Sequence, residues 1–400
     1  MKLGILGGGP AGMFAAIEAS KKGMQVSIID NNLMLGRKLS VTGGGRGNLT
    51  NLGIRPEVYY SQDLKQKENL EKTLTEYDAN FLLKYFYQLG IPTYHTDDGW
   101  VYPISNSAKN LSFYLSKILQ ENKITHFPDT FIDDLRIFPQ HISLYGLNNQ
   151  EFKFNRVIIA TGGNAYPQVG ASTKILQALE KLGYQIKPIY PALAPLKTTK
   201  KRTFNLKGLR FNALCTLQSG NSIIKSEHGN IIFTEWGLNG PGVMNLSHYF
   251  YLYPNKLTIT INPLIIFKNE IQDSIQNHHN QNLKFRVFLL SYIPEGLIAQ
   301  YQKNQNILLN KSLKEIQQIP IENLIQAFDL IEDVIGTRDF KFAQLSTGGI
   351  LLDQVNLLTM KSNLHNNLSF AGEILDIVGP CGGYNLHWAF ISGLIAGKHI

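Results

Sequence analysis

Residues 1–30 read MKLGILGGGPAGMFAAIEASKKGMQVSIID, and this stretch decides the fold. A short apolar run over residues 3–6 predicts a β-strand, and the glycines that follow predict a tight turn that opens a helix. Small and apolar residues continue the helix, and a second apolar strand ends at Asp30. The motif G-x-G-x-x-G over residues 7–12 therefore lies between a strand and a helix, which is the context that a dinucleotide-binding βαβ unit requires.

Each glycine of this motif has its own physical reason. Gly7 permits the tight turn, Gly9 lets the backbone approach a pyrophosphate, and Gly12 lets the helix pack close to the sheet. The free N–H groups and the dipole of the helix N-terminus favour an anion there. Asp30, at the end of the second strand, can accept hydrogen bonds from ribose hydroxyls. A glycine turn in an ordinary βαβ unit is the alternative, and the surrounding context argues against it.

A glycine-rich, basic loop follows, in which residues 36–48 read GRKLSVTGGGRGN. Three consecutive glycines at 43–45 let the backbone pass close to a ligand. Arg37 and Lys38 can offset the charge of a phosphate. A flexible, solvated loop is the alternative, and the glycines beside several basic side chains favour a phosphate-facing loop.

Two further glycine turns follow apolar strands. The first comes after a strand ending near Thr161, and its Gly162-Gly163 pair is typical of the far side of a flavin-binding domain. The second runs through residues 379–385 and opens a helix of small residues, whose N-terminus suits an anion or the polar edge of a flavin ring. Asp376 or Glu373 can hold a ribityl hydroxyl. Helix capping and turn formation are the alternative explanation of this second turn.

Together and in this order, the four motifs resemble the flavoproteins with two dinucleotide-binding domains. The chain looks most like the YhiN/BaiN-like family of bacterial flavoproteins, also called the aminoacetone oxidase family. The strings that carry the resemblance are GRKLSVTGGGRGNLTN at 36–51, ATGGNAYPQVGAST at 160–173 and FAGEILDIVGPCGGYNLHWAFISG at 370–393. Weaker matches lie at 98–103, 234–242 and 346–350. The resemblance covers essentially the whole chain.

The resemblance implies FAD, bound in extended form by a split domain. The pyrophosphate would lie on the first glycine motif, the adenosine ribose on Asp30 and the adenine near the backbone of Ile132. The basic loop would line the phosphate and flavin side, and the last glycine turn would meet the ribityl chain and the isoalloxazine. The predicted cofactor-binding residues are Gly7, Gly9, Pro10, Ala11, Gly12, Asp30, Asn31, Arg37, Lys38, Thr42, Gly43, Gly44, Gly45, Asn48, Ile132, Ala160, Thr161, Gly162, Gly163, Gly372, Glu373, Asp376, Gly382, Gly383, Tyr384 and Asn385. No metal site is predicted.

One position departs from the family pattern. The family usually carries a cysteine after the GGGR string, and this chain has Gly47 there, so any role of that cysteine is absent or dispensable. The chain shows one G-x-G-x-x-G in strand–helix context, so a transient NADH or NADPH would bind without a dedicated domain. Cys215 and Cys381 form no Cys-x-x-Cys pair, which argues against a disulfide relay.

The sequence assigns no catalytic residue, because a flavin carries the hard chemistry and the protein orients the substrate. Side chains near the turn at 379–385 and the loop at 100–103 are the candidate catalytic groups. Tyr384 can donate to a substrate carbonyl, or it can pack as an aromatic over the cofactor. His387, in the helix after the last glycine turn, can donate a proton, although a structural histidine is the more common case. Cys381 is either a thiol activated by the helix N-terminus or an inert one.

The composition is that of a soluble globular protein, with 400 residues, 44% apolar and 17% charged. Two cysteines are too few for a disulfide framework or a cysteine-type zinc site. No apolar run approaches the roughly 20 residues of a spanning helix, and the first residues lack a secretory signal, so we expect a cytoplasmic protein with no membrane contact. The net charge of +8 suits anionic small molecules. The densest basic stretch, 197–210, is short, so we expect a small-molecule substrate and no nucleic acid.

A cluster of prolines after residue 186 predicts a domain boundary, and the glycine-turn style of the first residues returns after Thr337. We therefore predict an α/β fold, with a Rossmann-like FAD-binding domain of the glutathione-reductase type formed by 1–188 and 336–400. An inserted substrate or cap domain would span 189–335. The insertion is predicted to be β-rich over 189–262 and helical over 263–335, and further helices are predicted at 67–90, 107–122 and 172–183.

The predicted function is that of an FAD-dependent oxidoreductase that moves hydride between flavin N5 and a small organic substrate, either an amine or an enone-like compound. NADH or NADPH is a candidate reductant. A flavin-dependent tRNA-modifying enzyme is one alternative, which predicts salt-dependent RNA binding. A non-catalytic flavin-binding protein is another, which predicts a flavin without a substrate-sized cavity.

Overall fold

The computed structural model describes residues 1–61, 66–147, 150–199, 206–253 and 255–400. These residues form two compact units. Unit 1 contains Met1–Pro191 and Gln344–Ile400, and unit 2 contains Ala192–Ala343. Unit 2 is thus inserted in the sequence of unit 1, with ends at 192 and 343 where the sequence suggested 189 and 335.

Twenty-one strands and twelve α-helices occur in the described residues. The strands are β1 (Lys2–Leu6), β2 (Gln25–Ile29), β3 (Thr50–Asn51), β4 (Thr93–His95), β5 (Trp100–Pro103), β6 (Thr125–Phe127), β7 (Ile132–Ile137), β8 (Ile142–Gly146), β9 (Glu151–Phe154), β10 (Arg156–Ile159), β11 (Ile186–Ala192), β12 (Leu196–Thr198), β13 (Arg210–Ser219), β14 (Ser222–Phe233), β15 (Gly237–Asn239), β16 (Leu257–Asn262), β17 (Leu330–Thr337), β18 (Leu345–Ile350), β19 (Val355–Asn356), β20 (Lys361–Ser362) and β21 (Leu368–Phe370). The helices are α1 (Pro10–Ser20), α2 (Lys67–Glu76), α3 (Ala79–Gln88), α4 (Ala108–Glu121), α5 (Ile175–Lys181), α6 (Pro241–Met244), α7 (Lys268–Asn277), α8 (Phe285–Phe288), α9 (Glu295–Leu309), α10 (Leu313–Ile316), α11 (Ile321–Gln326) and α12 (Tyr384–His399).

Unit 1 is built on a sheet in the order β19-β20-β21-β10-β1-β2-β6. The five strands from β21 to β6 are parallel, and β19 and β20 add an antiparallel edge. The central strands are apolar along their length because a parallel sheet is covered on both faces. A separate antiparallel meander contains β7, β8 and β9. This architecture confirms the predicted α/β fold of the dinucleotide-binding type.

The strand register brings the sequence motifs to one edge of the sheet. Leu6 pairs with both Ile29 and Ile159, and Ile159 pairs with Phe370. The carboxyl ends of the four strands β1, β2, β10 and β21 are therefore level. The residues that follow these ends are the first glycine motif, the Asp30 segment, the Ala160 turn and the last glycine-rich segment. Ligands of open α/β sheets bind at this edge.

Unit 2 contains a closed barrel in the order β12-β15-β14-β13-β16-β17 and a group of helices inserted between β16 and β17. The prediction that residues up to 335 are helical is wrong at its end, because residues 330–337 form β17. Their alternating burial, with Leu330, Glu332 and Val334 inside, is that of a strand. Part of the basic stretch 197–210 falls outside the described residues, namely 200–205.

None of the helices in the described residues combines the length and the apolar character that crossing a membrane requires.

Candidate functional site

The three glycines of the first motif differ in what surrounds them. Gly7 has φ +106°, and a Cβ built there would lie 2.3 Å from the carbonyl oxygen of Ala160. A Cβ at Gly12 would lie 1.9 Å from the carbonyl oxygen of Gly7. A Cβ at Gly9 would meet nothing within 4 Å. Two glycines are therefore required by the packing of the protein itself, and the third borders open space where a ligand can approach.

The N-terminus of α1 faces this open space without a side-chain cap. Gly9 is the N-cap, Pro10 is the first helical residue and the first turn has no acidic side chain. The carbonyl of Gly9 accepts the N–H of Met13, while the N–H groups of Ala11 and Gly12 donate to no described residue. Two uncapped donors at the positive end of a helix suit a pyrophosphate.

Asp30 is buried directly beside the glycine turn. Its Oδ2 accepts the backbone N–H of Gly8 at 2.6 Å, and its Oδ1 accepts both the backbone N–H of Asn32 at 2.7 Å and the side-chain amide at 2.9 Å. A carboxylate has about four acceptor positions, so one remains for a ribose hydroxyl. Asn31, predicted at the same place, donates its side-chain amide to the carbonyl of Gly170 at 2.8 Å.

The basic loop contacts the carboxyl edge through an ion pair. Lys38 Nζ lies 2.7 Å from Glu373 Oε2, and both side chains are partly buried. Glu373 Oε1 also accepts the backbone N–H of Ser346 at 2.9 Å. Arg37 donates to the side-chain oxygen of Asn32 at 2.9 Å. Lys38 and Glu373, predicted independently, therefore lie together and form one polar group.

The tip of this loop leaves its backbone open to a ligand. The residues predicted there, Thr42 and the glycines at 43–45, are exposed or half-buried, and Gly44 and Gly45 have no neighbour within 4 Å of a built Cβ. Their φ values of +64° and +87° are accessible to glycine at little cost.

Two buried polar atoms of the predicted set have no hydrogen-bond partner among the described residues. They are Asn48 Oδ1, at the end of the basic loop, and Thr161 Oγ1, two residues after the end of β10. A Cβ built at Gly383 would lie 2.7 Å from Asn48 Oδ1, so this oxygen lies close to the N-terminus of α12. Buried polar atoms without partners are rare in native proteins, and a ligand bound at this edge can supply the partners. The residues present at this edge therefore fit a dinucleotide with a polar ring system.

The second glycine turn is held rigidly by the amide of Asn385. Its Oδ1 accepts the backbone N–H of Gly379 at 2.7 Å, and its Nδ2 donates to the carbonyl of the same residue at 2.8 Å. Gly383, with φ +100°, is the N-cap of α12 and provides no side-chain cap. The predicted cofactor contact of Asn385 stays a prediction, and its observed contacts shape the backbone of the turn.

The two acidic residues predicted for a ribityl hydroxyl differ in accessibility. Asp376 is fully buried, and its Oδ1 accepts from the backbone of Gly348 at 2.7 Å and from Thr347 Oγ1 at 3.2 Å. Glu373 keeps 14% of its side chain exposed. Glu373 therefore has the surface that such a contact needs, while Asp376 ties the last glycine segment to β18.

His387 is fully buried and both of its ring nitrogens have partners. Nδ1 lies 2.8 Å from Thr50 Oγ1, and Nε2 lies 2.9 Å from the carbonyl oxygen of Tyr77. Burial lowers the pKa of His387 to about 4. Neither nitrogen is free to exchange a proton with a ligand, so this candidate for catalysis has a structural role in the present conformation.

Tyr384 lies at the start of α12 and is half-buried. The hydroxyl of Tyr59 donates to its backbone carbonyl at 2.9 Å, and the two rings pack edge to face at 6.1 Å. Burial raises the pKa of Tyr59, so that hydroxyl keeps its proton. Cys381, in the preceding turn, is partly exposed, with its Sγ 3.9 Å from Gln344 Oε1.

The remaining predicted residues lie around the same strand ends. Ala160 is buried under the first motif, and Gly162 borders open space. Gly372 donates its N–H to Ser392 Oγ at 2.9 Å. A Cβ at Gly163 would meet Glu373 Oε1 at 2.5 Å. Ile132 is buried at the start of β7.

Of two further contributors to this edge, sequence reasoning misses Ser346, whereas Trp100 belongs to a loop that it places among the candidate catalytic groups. Ser346 Oγ accepts the backbone N–H groups of Asn164 and Ala165 at 2.8 and 3.1 Å, and so fixes the turn after β10. The indole of Trp100 packs on Gly382, 3.0 Å from a built Cβ. Both residues occur in the weaker family strings, and that was the available signal.

Fold and site together define a dinucleotide-binding protein with a Rossmann-type parallel sheet. The chain belongs to the family described as HI0933-like protein Rossmann domain, whose family model matches residues 1–399. This confirms the resemblance stated from the sequence motifs.

Relatives of known activity match nearly the whole chain. The chain is 28% identical to 3-dehydro-bile acid delta(4,6)-reductase of Clostridium scindens, over 99% of this chain and 98% of the relative. It is also 28% identical to ribosomal RNA dihydrouridine synthase of Haemophilus influenzae, over 97% and 95%. These matches and the family confirm the predicted class, an FAD-dependent oxidoreductase.

A solved structure supports the fold. The 3-ketosteroid delta1-dehydrogenase from Sterolibacterium denitrificans, in complex with 1,4-androstadiene-3,17-dione, superposes with a TM-score of 0.52 at 11% identity. The match covers 99% of this chain and 98% of that chain. At this identity the likeness concerns architecture alone.

Proposed function

We propose that this protein is a reductase that moves hydride between flavin N5 and a carbon–carbon double bond conjugated to a carbonyl. The observation that carries the proposal is the end-to-end match with the 3-dehydro-bile acid delta(4,6)-reductase. The name of that enzyme denotes reduction of delta(4,6) double bonds in a 3-dehydro, that is 3-keto, bile acid. The amine substrates that the sequence left open have no such support, so an enone-like small molecule is the favoured substrate.

FAD supplies the hydride chemistry when it is bound, and the residues of unit 1 hold it. The uncapped N–H groups of Ala11 and Gly12 would bind the pyrophosphate. Asp30 would accept from the adenosine ribose, and the Lys38–Glu373 pair would place a cation and a carboxylate beside the middle of the cofactor. The unpartnered oxygens of Asn48 and Thr161 would gain hydrogen-bond donors.

NADH or NADPH is the proposed reductant, binding transiently. The sequence carries one strand–turn–helix glycine motif of the dinucleotide type, and FAD would occupy it. The expected cytoplasmic location belongs to the same proposal, because both nicotinamide cofactors are abundant there.

Anaerobic stopped-flow spectroscopy tests the reaction. NADH or NADPH should bleach the oxidised flavin of the purified protein, and an enone should then restore its absorbance. Primary amines serve as the matched control, since an amine oxidase would be bleached by them directly. Bleaching by amines together with no reoxidation by any enone would overturn the proposal, and a colourless protein that takes up no FAD would overturn its premise.

Uracil in RNA is a second candidate substrate, favoured by the ribosomal RNA dihydrouridine synthases of Haemophilus influenzae and Escherichia coli, each 28% identical over 97% of this chain. The double bond of uracil that is saturated in dihydrouridine is conjugated to a carbonyl, so the chemistry is shared. Mixing reduced protein with an RNA transcript separates the two classes. Reoxidation by RNA but not by steroid-like enones, with dihydrouridine found by mass spectrometry, selects RNA.

A further inference from the structure

The guanidinium of Arg338 in unit 2 lies over two aromatic rings. Its Cζ lies 4.7 Å from the ring centre of Trp236 and 3.2 Å from that of Phe342. Trp236 precedes β15, Arg338 directly follows β17, and both strands pair with β12. The backbone N–H of Arg338 donates to the carbonyl of Pro195 at 2.8 Å, which fixes the base of the side chain. These contacts at the rim of the barrel therefore restrict the position of the guanidinium.

The charge of Arg338 has no counter-ion within unit 2 as described. No carboxylate of the described residues forms an ion pair with it, and its side-chain N–H groups donate to none of them. The acidic residues that neighbour Arg338 and Trp236 in the sequence have other partners. Asp339 accepts the backbone N–H of Lys341 at 3.1 Å, and Glu235 pairs with Lys207 at 2.7 Å.

A guanidinium that lies over aromatic rings presents its N–H donors in its own plane. The rings stabilise the cation electrostatically and displace water from its faces. The five N–H groups at the edge remain, in the rigid fork that matches the two oxygens of a carboxylate or phosphate. Holding the fork in advance reduces the entropy lost on binding. Half-burial strengthens the attraction to an anion relative to an exposed side chain.

We propose that Arg338, which contacts the rings of Trp236 and Phe342, is an oxyanion-binding site that takes a carboxylate or phosphate group of a ligand. The site lies entirely in unit 2. It goes beyond the reductase activity proposed above and does not depend on it, so the two can fail separately.

Fluorine NMR of the FAD-loaded full chain tests the site. The chain has three tryptophans, so labelling with fluorotryptophan gives three resonances, and the variant Trp236→Phe identifies one of them. The probes are sodium acetate and inorganic phosphate, with chloride at matched ionic strength as the control. We expect a saturable shift of the Trp236 resonance with acetate, phosphate or both, and none with chloride. The probe that binds more tightly identifies carboxylate or phosphate as the preferred group.

Substitutions separate binding from packing. Arg338→Gln should abolish the saturable shift, and Arg338→Lys should weaken binding by about tenfold, because lysine keeps the charge without the fork. Lys303→Gln, which removes an exposed cation from α9 of unit 2, is the matched control and should leave binding unchanged. If Arg338→Gln fails to fold, Phe342→Leu keeps the arginine while removing one ring and should weaken binding by a smaller factor. An equal response to chloride, or an unchanged response in Arg338→Gln, would overturn the site and leave Arg338 as a packing residue.

Discussion

Gly9 and Gly12 lie three residues apart in the same turn, and we expect alanine substitutions at the two positions to have opposite effects on stability and FAD binding. Gly12→Ala puts a Cβ 1.9 Å from a backbone carbonyl, so the apoprotein should lose about 1–3 kcal/mol of stability. Gly9→Ala enters open space and should leave apoprotein stability unchanged. It should nevertheless weaken FAD binding by about tenfold or more, roughly 1.4 kcal/mol, because the methyl group occupies the approach of the pyrophosphate.

Thermal unfolding of the apoproteins and titration with FAD, followed by flavin fluorescence, measure the two effects separately. Unchanged FAD affinity in Gly9→Ala would show that the pyrophosphate does not pass over this residue. Equal destabilisation of both variants would show that the turn is closed at Gly9 as well.

Because His387 is buried, we expect the free energy of unfolding to fall as the pH becomes acidic. Since Tyr77 supplies only a carbonyl, Nε2 carries the proton and Nδ1 accepts from Thr50. The pKa is lowered from 6.5 to about 4 in the folded protein by burial, so the unfolded chain takes up a proton at higher pH. The contribution of neutral His387 to the free energy of unfolding is therefore complete above about pH 6.5 and is lost as the pH falls towards about 4.

Denaturant unfolding at several pH values gives the free energy of unfolding across this range. A plot of this free energy against pH should have a shallower slope for His387→Asn than for the parent protein. His248 contributes in the same direction, since burial lowers its pKa to about 3, so part of the slope remains. His95→Asn, at an exposed position, is the control and should not alter the slope. Identical slopes in His387→Asn and the parent would contradict the assigned neutral state.

The elements α1 and α12 approach each other through small residues. A Cβ built at Gly393 would lie 2.1 Å from the carbonyl oxygen of Ala11, and one at Gly397 would lie 2.3 Å from that of Ala15. Gly393→Ala should therefore cost about 1–3 kcal/mol and also weaken FAD binding, because α1 carries the pyrophosphate site at its start. Ala389→Ser, on the partly buried face of α12, should do neither. Denaturant unfolding and FAD titration measure both, and full stability in Gly393→Ala would show that the helices can separate freely.

Local patterns predicted the elements whose signals are contiguous. The β1-α1-β2 unit follows from residues 1–30 because strand, turn and helix signals are adjacent there. The helix predicted over 67–90 is instead two helices, since Asp78 caps α3 by accepting the N–H of Phe81 at 2.7 Å. The sequence predicts a helical end of the insertion, but pairing with two distant strands makes residues 330–337 a strand. Long-range pairing overrides weak local preference.

In the candidate site, too, the sequence predicts only the features whose signals are contiguous. Glycine spacing located the strand ends, because backbone approach to a ligand restricts the residue type directly. Which polar side chains remain available depends on contacts between distant segments. The amide of Asn385 and the carboxylate of Asp376 are engaged by backbone groups. The contact between Arg338 and Trp236 joins residues that are 102 positions apart in the sequence, and no local pattern predicts it.

In the whole molecule, the insertion of unit 2 has a simple geometry. The chain leaves unit 1 after β11 and returns through β18, and these two strands form a two-stranded sheet. Within unit 2, the first strand β12 and the last strand β17 are also paired, Leu196 with Thr337. Both units therefore bring their own chain ends close together, and each has its own hydrophobic core. This arrangement is the one that tolerates domain insertion.

Replacing residues 193–342 by a Gly/Ser linker of about six residues should therefore leave unit 1 folded, since a flexible linker of that length spans adjacent strand ends. We expect the shortened protein to retain FAD, because every predicted cofactor residue lies in unit 1. It should lose reduction of enones if the insertion is the substrate or cap domain that the sequence predicts. Flavin absorbance after purification, thermal unfolding and reoxidation kinetics measure these properties. A folded but colourless product would assign cofactor contacts to unit 2, and full enone reduction would remove unit 2 from the substrate site.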